Sequence, residues 1–325
     1  MTSDSTPFRA ILVPLDGSTL AEQALPLACQ FAERTGGKIR LVLVHEMSAP
    51  PVNFSSSGEF TSLELATRKF ERGYLREIKA RLRASGTRVS SAVTLTGAVG
   101  PAIAQYASEM AVELVVMATH GRGGVRRVWM GSVADDLISH LECSLLLLRP
   151  GEDGSVQPYT FTGGEILVPL DGSPLAEQAL PSAGALARAW DAPLSLLQVV
   201  RPVMMTDEYA LPFPARYDDE VTEVCRLEAQ RYLDLQVASL EAQKLRAHGH
   251  AILSWNVVTA LLDRATPERV SFIVIATHGR TGLERLALGS VADKLVRGAE
   301  VPVLVFRPGL GKLKPRAQRI AKARA

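Results

Sequence analysis

The sequence predicts an α/β protein made of two tandem domains, each an open, five-stranded parallel sheet with helices on both faces. Three observations carry this. ILVPLDGSTLAEQALP at residues 11 to 26 returns as ILVPLDGSPLAEQALP at residues 166 to 181. MATHGRGGVRRVWMGSVADDL (117 to 137) returns, in the same order, as IATHGRTGLERLALGSVADKL (275 to 295). Within each copy short aliphatic runs alternate with longer amphipathic ones, the pattern that right-handed crossovers between parallel strands produce. A chain of 325 residues also sits where one hydrophobic core stops growing and two become favoured. The domains are placed at residues 1 to 150 and 165 to 310, joined by a linker at 151 to 164 within the Gly, Pro and Ser-rich RPGEDGSVQPYTFTGG.

Four strands of the first unit are expected at Ile11 to Leu15, Ile39 to Val44, Leu114 to Met117 and Leu145 to Leu148. Their counterparts are Ile166 to Leu170, Leu194 to Val200, Phe272 to Ile275 and Val303 to Phe306. Runs so uniformly apolar suit strands buried on both faces. A fifth, more polar strand falls at Val89 to Leu95 and around Ala251 to Trp255. Leu63 to Ala84 reads as a helix, with Leu75, Ile78 and Leu82 on one side and Arg and Glu on the other.

After the first strand, Pro174 marks the first helical position of the second copy, because proline is comfortable there and not deeper. Ser173 is then the N-cap and Ser18 its equivalent, although Thr19 with Glu22 forms a rival capping box. Gly17 and Gly172 supply the backbone freedom for the turn. Asp16 and Asp171 are left at the carboxyl edge of the sheet, where open α/β sheets bind ligands. A carboxylate there can accept a hydrogen bond from a ribose hydroxyl or an exocyclic amine; it can also simply close an Asp-Gly turn.

The second repeated stretch adds an anion site. Ala118-Thr-His-Gly121 follows a strand, nine residues intervene, and Gly131-Ser132 opens a helix; Ala276-Thr-His-Gly279, nine residues and Gly289-Ser290 repeat this. Glycines admit a ligand close to the backbone, and N–H groups at a helix start attract phosphate. Arg122, Arg126 and Arg127 add charge to the first loop, Arg280 and Arg285, opposed by Glu284, to the second. His120 and His278 lack a second ligand at metal spacing and read as loop-shaping or phosphate-contacting imidazoles. Trp129 reads as a packing or partner contact, since its counterpart is Ala287. The stretches SAPPVNFSSSGEF (48 to 60) and RPVMMTDEYALPFPARYDD (201 to 219) read as flaps near the same edge or as tolerated insertions.

Composition bounds the function. With 47% hydrophobic and 22% charged residues the chain is globular. No apolar run approaches the roughly 18 residues of a membrane span, and residues 1 to 10 lack a signal peptide pattern, so a cytoplasmic protein is expected. Three widely separated cysteines suggest neither disulfides nor a zinc site. Residues 311 to 325 carry six cations and no acid, which leaves the rest of the chain at −4 out of a total of +2. Without aromatic company this tail reads as a solvated, disordered terminus and not a nucleic-acid contact.

VPLDGS at the first strand, ATHGR later, and nine residues from that Gly to GSVAD together resemble the universal stress protein family, in both halves. The resemblance implies two Rossmann-like, adenine-nucleotide-binding domains, paired through their last strands, Ser144 to Leu148 and Pro302 to Phe306. It implies ATP as ligand, alone or with a magnesium or manganese ion for which no protein ligand set stands out. Phosphate and ribose contacts carried over from the family are Ala118, Gly121, Arg122, Gly131, Ser132 and Val133, and in the second half Ala276, Gly279, Arg280, Gly289, Ser290 and Val291. Adenosine contacts are Pro14, Asp16 and Val44, and Pro169, Asp171 and Val199. The implied function is a stress-response protein that binds ATP in one or both halves and acts by conformation, dimerisation or partner contacts. The alternatives are a nucleotide-independent scaffold and a slow ATPase using Asp135 or Asp293. Two departures stand out. The first loop Gly of the family is Ala118 and Ala276 here, and GAVGPA (97 to 102) becomes WNVVTA (255 to 260) in the second half. The more cationic first loop leads one to expect the tighter site in the first half.

Overall fold

The computed structural model describes residues 8–46, 62–119, 131–149, 159–161, 163–204, 217–276 and 288–307. The chain divides after Phe161 into two compact units. The first contains β1 (Ala10–Leu15), α1 (Thr19–Glu22), α2 (Ala24–Thr35), β2 (Lys38–His45), α3 (Ser62–Ala84) and β3 (Val89–Thr96). It continues with α4 (Val99–Glu109), β4 (Leu114–Ala118), α5 (Ser132–His140) and β5 (Ser144–Leu148). All four strand pairings are parallel, in the order β3-β2-β1-β4-β5.

The second unit repeats the plan with β6 (Glu165–Pro169), α6 (Pro174–Glu177), α7 (Leu180–Trp190), β7 (Leu194–Val200), α8 (Asp219–Ala242) and β8 (Ala247–Leu253). α9 (Val257–Arg264), β9 (Val270–Ala276), α10 (Ser290–Gly298) and β10 (Val303–Phe306) complete it. Its strands, again all parallel, are ordered β8-β7-β6-β9-β10, the arrangement of the first unit.

Side chains alternate faces along a strand, so a run of consecutive buried residues needs cover on both sides. All five residues of β4 and the first six of β9 are buried. α2 packs on β1, β2 and β4, and α3 on β2 and β3, while α4 packs against α5. Leu75, Ile78 and Leu82 form the buried side of α3. The core of the first unit centres on Phe31, with Phe8 edge-on at 6.0 Å; that of the second sets Trp190 edge-on to Phe272 at 5.7 Å.

Ser18 and Ser173 are the N-caps: Oγ accepts from Ala21 N at 3.1 Å and from Ala176 N at 3.2 Å. The helix after each turn then breaks, at Gln23 and after Gln178. Pro26 and Pro181 cause the break, because neither has an N–H to donate to the carbonyl four residues back, that of Glu22 or Glu177.

One strand differs from expectation. β8 is Ala247–Leu253, not a run reaching Trp255. Its polar AHGH opening pairs in register with β7 from Leu194↔Ala247 onward, since backbone pairing at an outer strand tolerates polar side chains. Asn256 ends the extended segment by capping α9, its Oδ1 accepting from Thr259 N at 3.1 Å. The glycine-free turn is thus made by polar side chains, with Asn256 N also donating to Ser254 Oγ. Among the described residues no helix is long and apolar enough to cross a membrane.

Candidate functional site

Strand order reverses between β1 and β4 in the first unit, and between β6 and β9 in the second. Connections leave in opposite directions at such a point and open a crevice at the carboxyl ends of the two strands. Ile11 pairs with Leu114 and Leu12 with Val115; carried on, this register sets Leu15 beside Ala118. Asp16 and the start of the loop after β4 therefore emerge together.

Each Asp-Gly-Ser closes a turn and also puts a carboxylate at the crevice mouth. Asp16 Oδ1 accepts from Ser18 N at 2.8 Å and from Ser18 Oγ at 2.6 Å. Asp171 Oδ1 accepts from Ser173 N at 2.9 Å, and Asp171 is exposed. Gly17 and Gly172 have φ of +82° and +80°, which explains glycine at both positions.

At the other wall, Gly131 and Gly289 are the N-caps of α5 and α10, with φ of −76° and −57°. Glycine at 131 is a matter of space: an added Cβ would lie 3.2 Å from Thr119 O, the oxygen that accepts from Gly131 N at 3.0 Å and closes the base of the loop. Being glycines, neither offers a capping side chain. The N–H groups of Ser132, Val133, Ser290 and Val291 donate to no described residue, which is the condition for an anion at a helix start.

Ala118 and Ala276 are the last residues of β4 and β9, and neither has positive φ. Alanine in place of the family glycine is therefore free of strain. Pro14 lies in β1, Val44 in β2, Pro169 ends β6 and Val199 lies in β7. Gly121, Arg122, Gly279 and Arg280, with His120, His278 and Trp129, lie outside the described residues.

Two hollows open at this edge of the second unit. One, of about 200 Å³, is lined by Ser290 and Val291 together with Arg201, Trp255, Val258 and Lys294. The other, of about 410 Å³, lies between Gly172, the end of β7 at Gln198 to Val200, and Cys225, Ala229 and Tyr232 of α8. The structure thus brings Ser290 and Val291 into one hollow, and Val199 beside the Asp171 turn in the other.

The repeated motifs did not single out a buttress behind each turn. Tyr74 Oη donates to Glu22 Oε1 at 3.0 Å, and Tyr232 Oη to Glu177 Oε1 at 3.0 Å. Arg81 also pairs with Glu22. Burial, then the Glu22 carboxylate and Asp16, push the Tyr74 phenol above its usual range; burial, then Glu177 and Asp171, do so for Tyr232. The signal was available, since Glu22 and Glu177 occupy one position of the repeat. Asp293 is drawn to its own helix, its carboxylate oxygens each 2.9 Å from Arg297 Nε. Among the described residues no three His, Cys, Asp or Glu side chains gather to hold a metal ion.

Strand order, the turn after the first strand and the Gly-Ser helix start define a doubly wound α/β protein with a crevice at its switch point, built twice. The family model of the universal stress proteins matches residues 7–149 and again 164–307, so the chain belongs to the universal stress protein family, as a member with two domains. Universal stress protein Mb2019 of Mycobacterium bovis is 25% identical over 328 residues, 91% of this chain and 94% of that relative. Universal stress protein Mb2028c of the same organism is 27% identical over 210 residues, spanning 64% of this chain and 65% of that relative. A universal stress protein from Archaeoglobus fulgidus shares the fold, with a TM-score of 0.66 at 16% identity over 94% of this chain and 100% of that one.

Proposed function

We propose that this protein binds ATP in the crevice at the carboxyl edge of its sheet and acts through nucleotide-dependent conformation or partner contacts, without turning the nucleotide over. The observation that supports this is that a turn-held carboxylate and helix-start N–H groups that donate to no described residue both stand at the carboxyl edge of the sheet, one after each of the two strands of the switch point. Such N–H groups suit phosphate oxygens, and the carboxylate suits a ribose hydroxyl or exocyclic amine. Pairing of Asp293 with Arg297 argues against that residue as a water-positioning group, which phosphoryl transfer requires. Pairing through the closing strands, as the family resemblance implies, is part of the same proposal.

Mass spectrometry of the small molecules released by heating freshly purified protein, followed by equilibrium dialysis against ATP, tests the reading. An adenine nucleotide in the released fraction and saturable binding are expected. Absence of ATP and ADP binding at millimolar concentration would leave a nucleotide-independent scaffold.

A further inference from the structure

We infer that the two crevices have diverged in kind: the second unit takes the nucleotide, and the first is a filled copy. This rests on the adenine-nucleotide proposal above and adds to it which half binds and through which residues.

Equivalent positions follow from the repeat and the strand register. Ile11 pairs with Ile39 and Ile166 with Leu194, so Leu43, His45 and Glu46 correspond to Gln198, Val200 and Arg201. The Tyr74–Glu22 and Tyr232–Glu177 bonds align α3 with α8, so Glu71 corresponds to Ala229. In the first unit His45 Nδ1 lies 3.0 Å from Glu71 Oε1, with side chains only 5% and 12% exposed. This buried polar pair ties the end of β2 to α3. In the second unit Val200 and Ala229 stand there instead, and both line the hollow of about 410 Å³.

Gln198 lines the same hollow, and its Oε1 is buried without a hydrogen-bond partner among the described residues. A buried amide oxygen left without a partner is destabilising. Rotation of the amide into the hollow lets a ligand amine or hydroxyl satisfy it. Leu43, the equivalent in the first unit, carries no such need.

Charge divides the halves in the same direction. Arg201 and Lys294 line the smaller hollow beside Ser290 and Val291. Their equivalents are Glu46, directly after β2, and Asp136, fifth residue of α5. Among the described residues, then, two cations line the hollow at one helix start, and carboxylates hold the equivalent two positions in the other half, which favours a polyphosphate in the second. Packing agrees: a Cβ added at Gly100 would lie 2.4 Å from Asp136 Cβ, so that corner is shut. The corresponding Val258 and Lys294 line an open hollow. This reverses the expectation, drawn from loop arginines, that the first site is tighter.

Titration of the full chain with ATP, by calorimetry, tests the assignment together with alkylation of the three cysteines read by peptide mass spectrometry. One ATP per chain is expected, and saturating ATP should slow alkylation of Cys225, which lines the larger hollow, at least about tenfold while leaving Cys29 and Cys143 unchanged. Val200→His with Ala229→Glu writes the first unit's pair into the second and should abolish binding. Arg201→Glu with Lys294→Glu should weaken it by about 10- to 100-fold or more, the scale of losing charge-assisted contacts to phosphate. Two ATP per chain, or binding that leaves Cys225 unprotected, overturns the assignment and spares the nucleotide proposal. No ATP binding by the unaltered chain overturns both. Cysteine protection needs no substitution, so it decides even if a variant fails to fold.

Discussion

Gly172→Ala separates backbone strain from packing. Gly172 has φ of +80°, and a Cβ built on it meets nothing within 4 Å. The whole cost is therefore conformational, about 1–2 kcal/mol for an L-residue held in the left-handed region. Gly73, inside α3, also faces open space but has helical backbone, so Gly73→Ala should instead stabilise by about 0.5–1 kcal/mol. Two glycines with equally empty surroundings thus carry opposite signs. In urea, with a slope of about 1–3 kcal/mol per molar, Gly172→Ala should lower the midpoint of its own unit by roughly 0.5–1 M. Fluorescence of Trp190, 3% exposed and packed on Phe272, follows that unit. Gly172→Asn should fall between alanine and the native chain, because asparagine enters the left-handed region more readily. If Gly172→Ala moves the midpoint no further than Gly73→Ala moves that of the first unit, or in the same direction, the turn is not rigid and the placement of Asp171 falls with it.

Ser18→Ala removes both the cap on Ala21 N and the 2.6 Å bond to Asp16, and should cost about 1–2 kcal/mol in urea unfolding; Ser173→Ala, which loses the cap alone, should cost less. Gly37→Ala would place a Cβ 2.7 Å from Arg9 O, a backbone atom that cannot yield cheaply, and should lower first-unit stability by about 1–3 kcal/mol. Tyr74 and Tyr232 hold their protons to higher pH folded than unfolded. Their contribution is therefore complete below the ordinary phenol value of about 10 and lost as pH rises above it. The slope should be at most about 1.4 kcal/mol per pH unit for each tyrosine, reduced by solvent screening at these partly exposed rings. Tyr74→Phe with Tyr232→Phe should flatten it in urea melts between pH 9 and 11.5, taken as roughly the range where phenols titrate.

The strands legible in the sequence were those whose side chains are buried on both faces. LVVMA of β4 and ILVPL of β1 offer no alternative to a covered sheet. β8 was misplaced because an outer strand needs only backbone pairing, so His248, Gly249 and His250 left no apolar run to find. The turn was readable through one substitution: Pro174 broke the tie between Ser18 and Thr19 as caps. The break after α1 was equally visible, since Pro26 and Pro181 close the repeated stretch. Gln198, Arg201 and Lys294 escaped because a search for motifs asks what two copies share, and these residues are where the copies differ. Subtracting one half from the other, position by position, would have found them.

That difference is hard to ascribe to stability. A buried histidine–glutamate pair gives up the hydration of two polar groups and gains, at best, about what a well-packed apolar pair would give. A solvent-open hollow of about 410 Å³ leaves apolar surface at Val200 and Ala229 uncovered that larger side chains would bury. A fold selected for stability alone would contain neither the His45–Glu71 pair in one half nor the Val200 and Ala229 hollow in the other. Both halves nonetheless keep the Asp-Gly-Ser turn, the tyrosine–glutamate buttress behind it and the Gly-Ser helix start. The frame that positions a crevice is thus held in common, and what the crevice contains is not. Each half has used the same backbone to hold something different: its own side chains in the first, and in the second the space and charge that the proposed nucleotide would use.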